Sequence, residues 1–131
     1  MTDFPNRTIA EPAAMPAHRV FRAVDALDAD ALGALLAEDA RMVFGNAEPL
    51  VGRAAILAGC RAFAATISGL RHRIVRDWVI GTDTIAETRV TYTRLDRKQV
   101  TVPAVSIWSV GDDGLIRDFR VFYDLAPLYA P

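Results

Sequence analysis

The sequence predicts an α+β domain in which helices come first and a sheet of hairpins follows. Two observations carry this expectation. Apolar residues recur at three- and four-residue spacing through the first half, and the second half holds four segments dense in Val, Ile, Thr, Trp, Tyr and Phe. That segregated order argues against alternating βαβ units. At 131 residues, 52% hydrophobic and 24% charged, the chain has the size and composition of one globular domain.

Residues 1 to about 15 include Pro5 and Pro12 and have little apolar periodicity, so they read as an arm that frays or lies on the surface, with the domain spanning 16–131. From Pro16, tolerated in a first helical turn, Val20, Phe21, Val24 and Leu27 recur at helical spacing. In DADALGALLAEDA, Asp28 or Asp30 is the expected N-cap of a short second helix with Leu32, Leu35 and Leu36 as its apolar stripe. Residues 40–44 suit a short strand, followed by the turn chemistry of GNAEPLVG. Ile56, Leu57, Cys60, Phe63, Ala64 and Ile67 then predict a third helix closing at Gly69. Four strands complete the chain, over 70–80, 84–94, 99–110 and 115–123, separated by GTD, LDRK and GDDG.

Fifteen basic and sixteen acidic residues leave a net charge of -1, which offers no field for nucleic acid or an anionic membrane. The lone Cys60 excludes an intramolecular disulfide, and no Cys/His spacing suits a metal, so no metal or cofactor is expected. A reducing, cytoplasmic setting fits this composition. The first twenty residues do not have the pattern of a secretory signal, and no later run reaches the length of a membrane span.

The strings ALDADALGALLAEDA, FGNAEPLVGRAAI and GLIRDFRVFYDL, in this order over about residues 16–130, resemble the SnoaL-like branch of the nuclear transport factor 2-like superfamily. The resemblance implies a cone-like α+β barrel, with N-terminal helices packed in a strongly curved mixed or antiparallel sheet around a pocket. It also implies a small apolar organic ligand, of polyketide or steroid type, and a homodimer formed through the outer sheet face.

The catalytic patterns of two related enzyme types are incomplete. In the limonene-epoxide-hydrolase pattern the Arg falls on Arg89, the Asn on Asn46 and the Tyr on Phe44, but the two acids fall on Thr91 and Val121. Neither can deprotonate water. In the ketosteroid-isomerase pattern the base falls near Val43, the hydrogen-bonding acid on Ser106, and the Tyr near Phe21 or Arg22. The polyketide cyclases of the branch are implied to use an acid on the late strands, yet Asp118 and Asp124 have the opposite parity to Val121.

Strand alternation adds candidates of its own. In LRHRIVRDW, His72 shares a side with Leu70 and Ile74, so it is either a buried structural histidine or a general base. Glu87, Arg89, Thr91 and Thr93 share one face of the next strand, and Ala86, Thr88, Val90 and Tyr92 the other. The resemblance places Arg89 inward, where Glu87 would neutralise it; the alternative is a solvated charge pair. Phe21, Phe44, Asn46, Phe63, Thr91, Ser106, Trp108, Phe119, Val121 and Tyr123 are the expected ligand-binding residues, the apolar ones lining the pocket or else filling the core. Trp78 is expected to pack. Two functions follow. One is a cofactor-independent lyase, isomerase or hydrolase using His72, Glu87 and Arg89; the other is a non-catalytic ligand-binding or dimerisation domain.

Overall fold

The computed structural model describes residues 13–131. Three helices, α1 (Ala17–Asp25), α2 (Ala29–Gly33) and α3 (Arg53–Ala64), interrupted by strands β1 (Leu36–Phe44) and β2 (Leu50–Val51), precede β3 (Ile67–Ile80), β4 (Asp83–Arg94), β5 (Gln99–Val110) and β6 (Ile116–Tyr123). A last turn of helix, α4, spans Ala126–Tyr129. The strands form one sheet in the order β2-β1-β6-β5-β4-β3, parallel only between β1 and β6. The expected α+β class and the mixed sheet are thus observed, and the sheet ends in two edges without closing into a barrel.

Local chemistry explains most boundaries. Pro16 caps α1 from an extended backbone, and the Asp28 side chain accepts from the Ala31 amide at 3.1 Å to start α2. Between them Leu27 adopts φ 54°, a left-handed conformation costly for a non-glycine residue, which turns the chain sharply from α1 into α2. The second helix is shorter than its apolar stripe predicts. It ends at Gly33, and Leu36 opens β1, because a parallel strand buried on the sheet also reads as an apolar run. The third helix likewise stops at Ala64, and Gly69 lies inside β3 facing Thr93. Ile67 belongs to the sheet.

The inner face of the sheet is set by β4, where Thr84, Ala86, Thr88, Val90 and Tyr92 are buried. Both threonines satisfy their hydroxyls on backbone: Thr84 donates to Met15 O at 3.0 Å and Thr88 to Ala104 O at 3.3 Å. Met15 O also accepts from Trp108 Nε1 at 2.8 Å. This ties residue 15, expected at the end of a surface arm, into the core; residues 1–12 of that arm lie outside the described residues. Trp108 is fully buried, edge-on to Phe21 with centroids 5.6 Å apart and stacked on Phe119 at 5.1 Å. Trp78 does not pack in this way. It is 45% exposed on the outer face, beneath the Arg76 guanidinium.

Two apolar clusters result, one around α1, β1 and Trp108, the other joining Ile67, Val90, Tyr92, Val102 and Leu128. Tyr123 packs against both. Arg94 pins α4 over the second cluster by donating to Leu128 O at 3.2 Å and Ala130 O at 2.6 Å. Among the described residues no helix is long and apolar enough to cross a membrane.

Candidate active site

A cavity of about 910 Å³ lies between the inner sheet face and the helices, with walls drawn from both clusters. That volume is at the upper end of the range for small-molecule sites, roughly 300–1,000 Å³. Its lining is chiefly apolar, including Phe21, Leu32, Met42, Phe44, Phe63, Phe119 and Val121.

His72 stands in this wall because β3 alternates, turning Leu70, His72 and Ile74 inward and Arg71 and Arg73 outward. The helix α1 brings a partner to it. Phe21 and Asp25 are four residues apart and so share one helix face. The Phe21 ring stacks on the imidazole, centroids 4.2 Å apart and planes 12° apart. Asp25 Oδ1 lies 2.6 Å from His72 Nδ1, and Oδ2 accepts the His72 backbone amide at 2.9 Å.

Both bonds have a physical cause. A carboxylate in the last turn of a helix opposes the helix dipole and requires donors. An edge strand such as β3 has amides with no strand to pair with. Asp25 meets both needs, and the side chains are well covered, 11% exposed for His72 and 24% for Asp25. Because an ionised carboxylate can only accept, Nδ1 carries the hydrogen, and Nε2 of the neutral ring is an acceptor. Among the described residues, Nε2 has no protein partner. The arrangement is an imidazole oriented by a carboxylate on the wall of a chiefly apolar cavity.

Other polar groups on the wall are few. The hydroxyl-bearing Ser106 and Tyr92 are only 2% and 4% exposed. Burial, and then the neighbouring Tyr123 and Tyr129 phenols, push the Tyr92 hydroxyl well above its ordinary range. Burial, then Tyr129 and Cys60, push Tyr123 up to about 12. Burial likewise raises the Cys60 thiol, which keeps it neutral rather than a reactive thiolate. Asn46, Arg61 and Asp124 lie at the rim, where Asp124 accepts the Ala126 amide at 2.9 Å. Among the described residues no group of three or more His, Cys, Asp or Glu side chains could hold a metal ion.

With this geometry established, the sequence profile of the SnoaL-like domain matches residues 17–119. The chain belongs to the SnoaL-like domain family. Among curated proteins, none matches the chain. Solved structures resemble it in fold. A hypothetical protein of ketosteroid isomerase-like fold from Catenulispora acidiphila, in complex with trimethylamine, is 19% identical, covers 84% of this chain and 85% of its own, and has a TM-score of 0.76. A candidate polyketide cyclase from Xanthomonas campestris pv. campestris is 22% identical over 82% of this chain and 87% of its own, with a TM-score of 0.75. An epoxide hydrolase of the limonene-epoxide-hydrolase-like kind from M. tuberculosis is 19% identical over 86% of this chain and 82% of its own, with a TM-score of 0.72.

Within this SnoaL-like domain the residues expected from sequence divide cleanly. His72, Phe21, Phe44, Asn46, Phe63, Ser106, Phe119, Val121 and Tyr123 line the cavity. Glu87, Arg89 and Thr91 do not. They lie on the outer sheet face, where Glu87 approaches Arg76 at 3.6 Å, Arg89 is directly opposite Arg73, and Thr91 shares a 2.8 Å hydrogen bond with Thr101. The expected cluster of His72, Glu87 and Arg89 is therefore not formed. Its premise was that Arg89 faces inward, and β4 instead turns its small and apolar side to the core. The pocket-facing residues of β4 are Val90 and Tyr92, so the pattern's Arg89 and Thr91 fall on the opposite face. Trp108 is also displaced from its expected role. It stands behind Phe21 and Phe119 as core, and does not line the cavity.

Two site residues were not anticipated. Asp25 was legible in principle, since it shares the inward face of α1 with Phe21, where an unpartnered carboxylate would be untenable. Tyr92 is on the β4 face that the resemblance turns outward, whereas the alternation alone leaves either face open.

Proposed function

We propose that this SnoaL-like domain is a cofactor-independent enzyme, a lyase or isomerase in which His72, oriented and charge-compensated by Asp25, moves a proton on a small apolar substrate. One observation carries the reading: Asp25 holds one ring nitrogen of His72 and the other has no protein partner among the described residues, on a side chain that lines a large, chiefly apolar cavity. In the proposed step Nε2 takes a proton from a C–H bond beside a carbonyl. The electron pair of that bond becomes the enolate, and the imidazolium is stabilised by the Asp25 carboxylate. Return of the proton at a second carbon is isomerisation; loss of a leaving group from the enolate is a lyase reaction. Exclusion of water by the apolar wall strengthens the His72–Asp25 interaction on which this depends. A polyketide- or steroid-like skeleton suits the volume. That the C. acidiphila protein binds trimethylamine and the X. campestris one is described as a polyketide cyclase supports a small-molecule role.

The outer sheet face, with exposed Trp78, Ile80 and Phe122, supports self-association into a homodimer, which analytical ultracentrifugation tests directly.

The enzyme reading is tested by screening small cyclic ketones and enones for binding by thermal shift, then incubating the binders with protein in D2O and following mass. Deuterium incorporation or a changed skeleton supports it. Ligands that bind and are recovered unlabelled and unchanged favour a non-catalytic binding domain instead.

A further inference from the structure

Two tyrosines of the cavity wall, Tyr92 and Tyr123, are not used by the proposed base, and they stand at other positions than the tyrosines of the catalytic patterns considered above, which fall on Phe44 and on Phe21 or Arg22. Tyr92 is on β4, two residues from Val90, which is paired with His72 across the β3–β4 ladder. It is thus the diagonal neighbour of His72 on the inner face, roughly 7–8 Å away along the backbone. Its ring is held edge-on against Phe63 of α3, centroids 5.9 Å apart, while His72 leans on Phe21 of α1. The two side chains therefore line the same cavity from adjacent strands, each braced by a different helix.

Tyr123 reaches this end from β6. Its ring lies across Gly45, where a Cβ would come within 3.2 Å of it and where φ is +53°. Only glycine accommodates both the close approach and that backbone without strain. Tyr92 and Tyr123 are packed in one apolar cluster, and among the described residues neither hydroxyl has a protein hydrogen-bond partner. A phenol as deeply buried as Tyr92 ordinarily finds a partner.

We propose that Tyr92 and Tyr123 form a donor pair that binds the oxygen of the substrate's carbonyl, so that the substrate class is an apolar ketone or enone whose activated C–H lies toward His72. This rests on the reading of His72 as the base. Both phenols stay protonated far into the alkaline range, as their burial requires, so they act as neutral donors and are suited to an oxygen that gains negative charge as the proton leaves. Two donors at one place on a chiefly apolar wall would fix one orientation of a hydrocarbon skeleton.

The test uses 4-nitrophenolate as a stand-in for the enolate and nitrobenzene as its counterpart without the oxygen, each titrated into the whole protein at mildly alkaline pH. Wild-type protein binds 4-nitrophenolate. Tyr92→Phe and Tyr123→Phe each weaken it by roughly tenfold or more, the scale of a lost hydrogen bond to a charged group, and leave nitrobenzene binding unchanged. His72→Gln retains 4-nitrophenolate binding, so this outcome is independent of whether His72 proves to be the base. Unaltered 4-nitrophenolate affinity in both Phe variants overturns the proposal. So does an equal loss of nitrobenzene, which reports damaged packing, or a failure of the wild type to bind the phenolate.

Discussion

The Asp25 carboxylate holds His72 at two points, 2.6 Å from the ring Nδ1 and 2.9 Å from the backbone amide. One residue thus fixes the imidazole in position, orientation and tautomer. The bond to the ring also spans two elements, the end of α1 and the edge strand β3, so that the position of the imidazole depends on how the first helix packs.

Replacing Asp25 separates the chemical role from the structural one. Asp25→Asn preserves size but removes the charge that stabilises the imidazolium and presents an amide that can donate where only acceptance suits. Turnover or exchange is expected to fall on the order of 100-fold or more with the fold retained. Asp25→Ala leaves two covered donors of His72 without a partner and is expected to cost about 1–3 kcal/mol in urea unfolding. Full activity in Asp25→Asn would remove the dyad from the mechanism.

The outer face makes the opposite prediction. Glu87→Ala and Arg89→Ala alter side chains on the far side of the sheet from the cavity, and Glu87 is in a surface contact with Arg76. Ligand affinity measured by calorimetry is expected to stay at the wild-type value, and stability to change by no more than about 0.5 kcal/mol.

The buried phenols predict how stability responds to base. Tyrosine in the unfolded chain titrates near about 10, whereas Tyr123 is raised to about 12 and Tyr92 further. Above about pH 10 the folded state therefore binds more protons than the unfolded one, and stability falls as pH rises. The contribution is fully present below about pH 10 and is lost as pH climbs through about 12. Urea midpoints across this window are expected to decline in the wild type and to decline less in Tyr123→Phe.

Much of this was legible in the chain. The helical stripe of Val20, Phe21 and Val24, the alternation in β3 to β6 and the turn strings placed the α+β order, and His72 among apolar neighbours on alternate positions marked an inward-facing histidine. What misled was local ambiguity. Leu35 and Leu36 continue a helical stripe and equally begin a buried strand, since a short apolar run has no period of its own. On β4 both faces have plausible content, one with Glu87 and Arg89, the other with Thr84 and Thr88. The threonines are the buried set because each hydroxyl meets a backbone carbonyl, whereas a guanidinium at 89 would have faced an apolar wall. Asp25 was obscured differently: its partner is 47 residues away, and no local pattern reports a pair that only the packing of α1 on β3 creates.

The central claim is most directly tested by the rate at which an enolisable ketone, bound at saturation, acquires deuterium from D2O, compared between wild type and His72→Gln. The account predicts exchange in the wild type and a loss on the order of 100-fold or more in the variant, with ligand affinity retained. Equal rates in the two proteins, or none in the wild type with any ketone that binds, would contradict it.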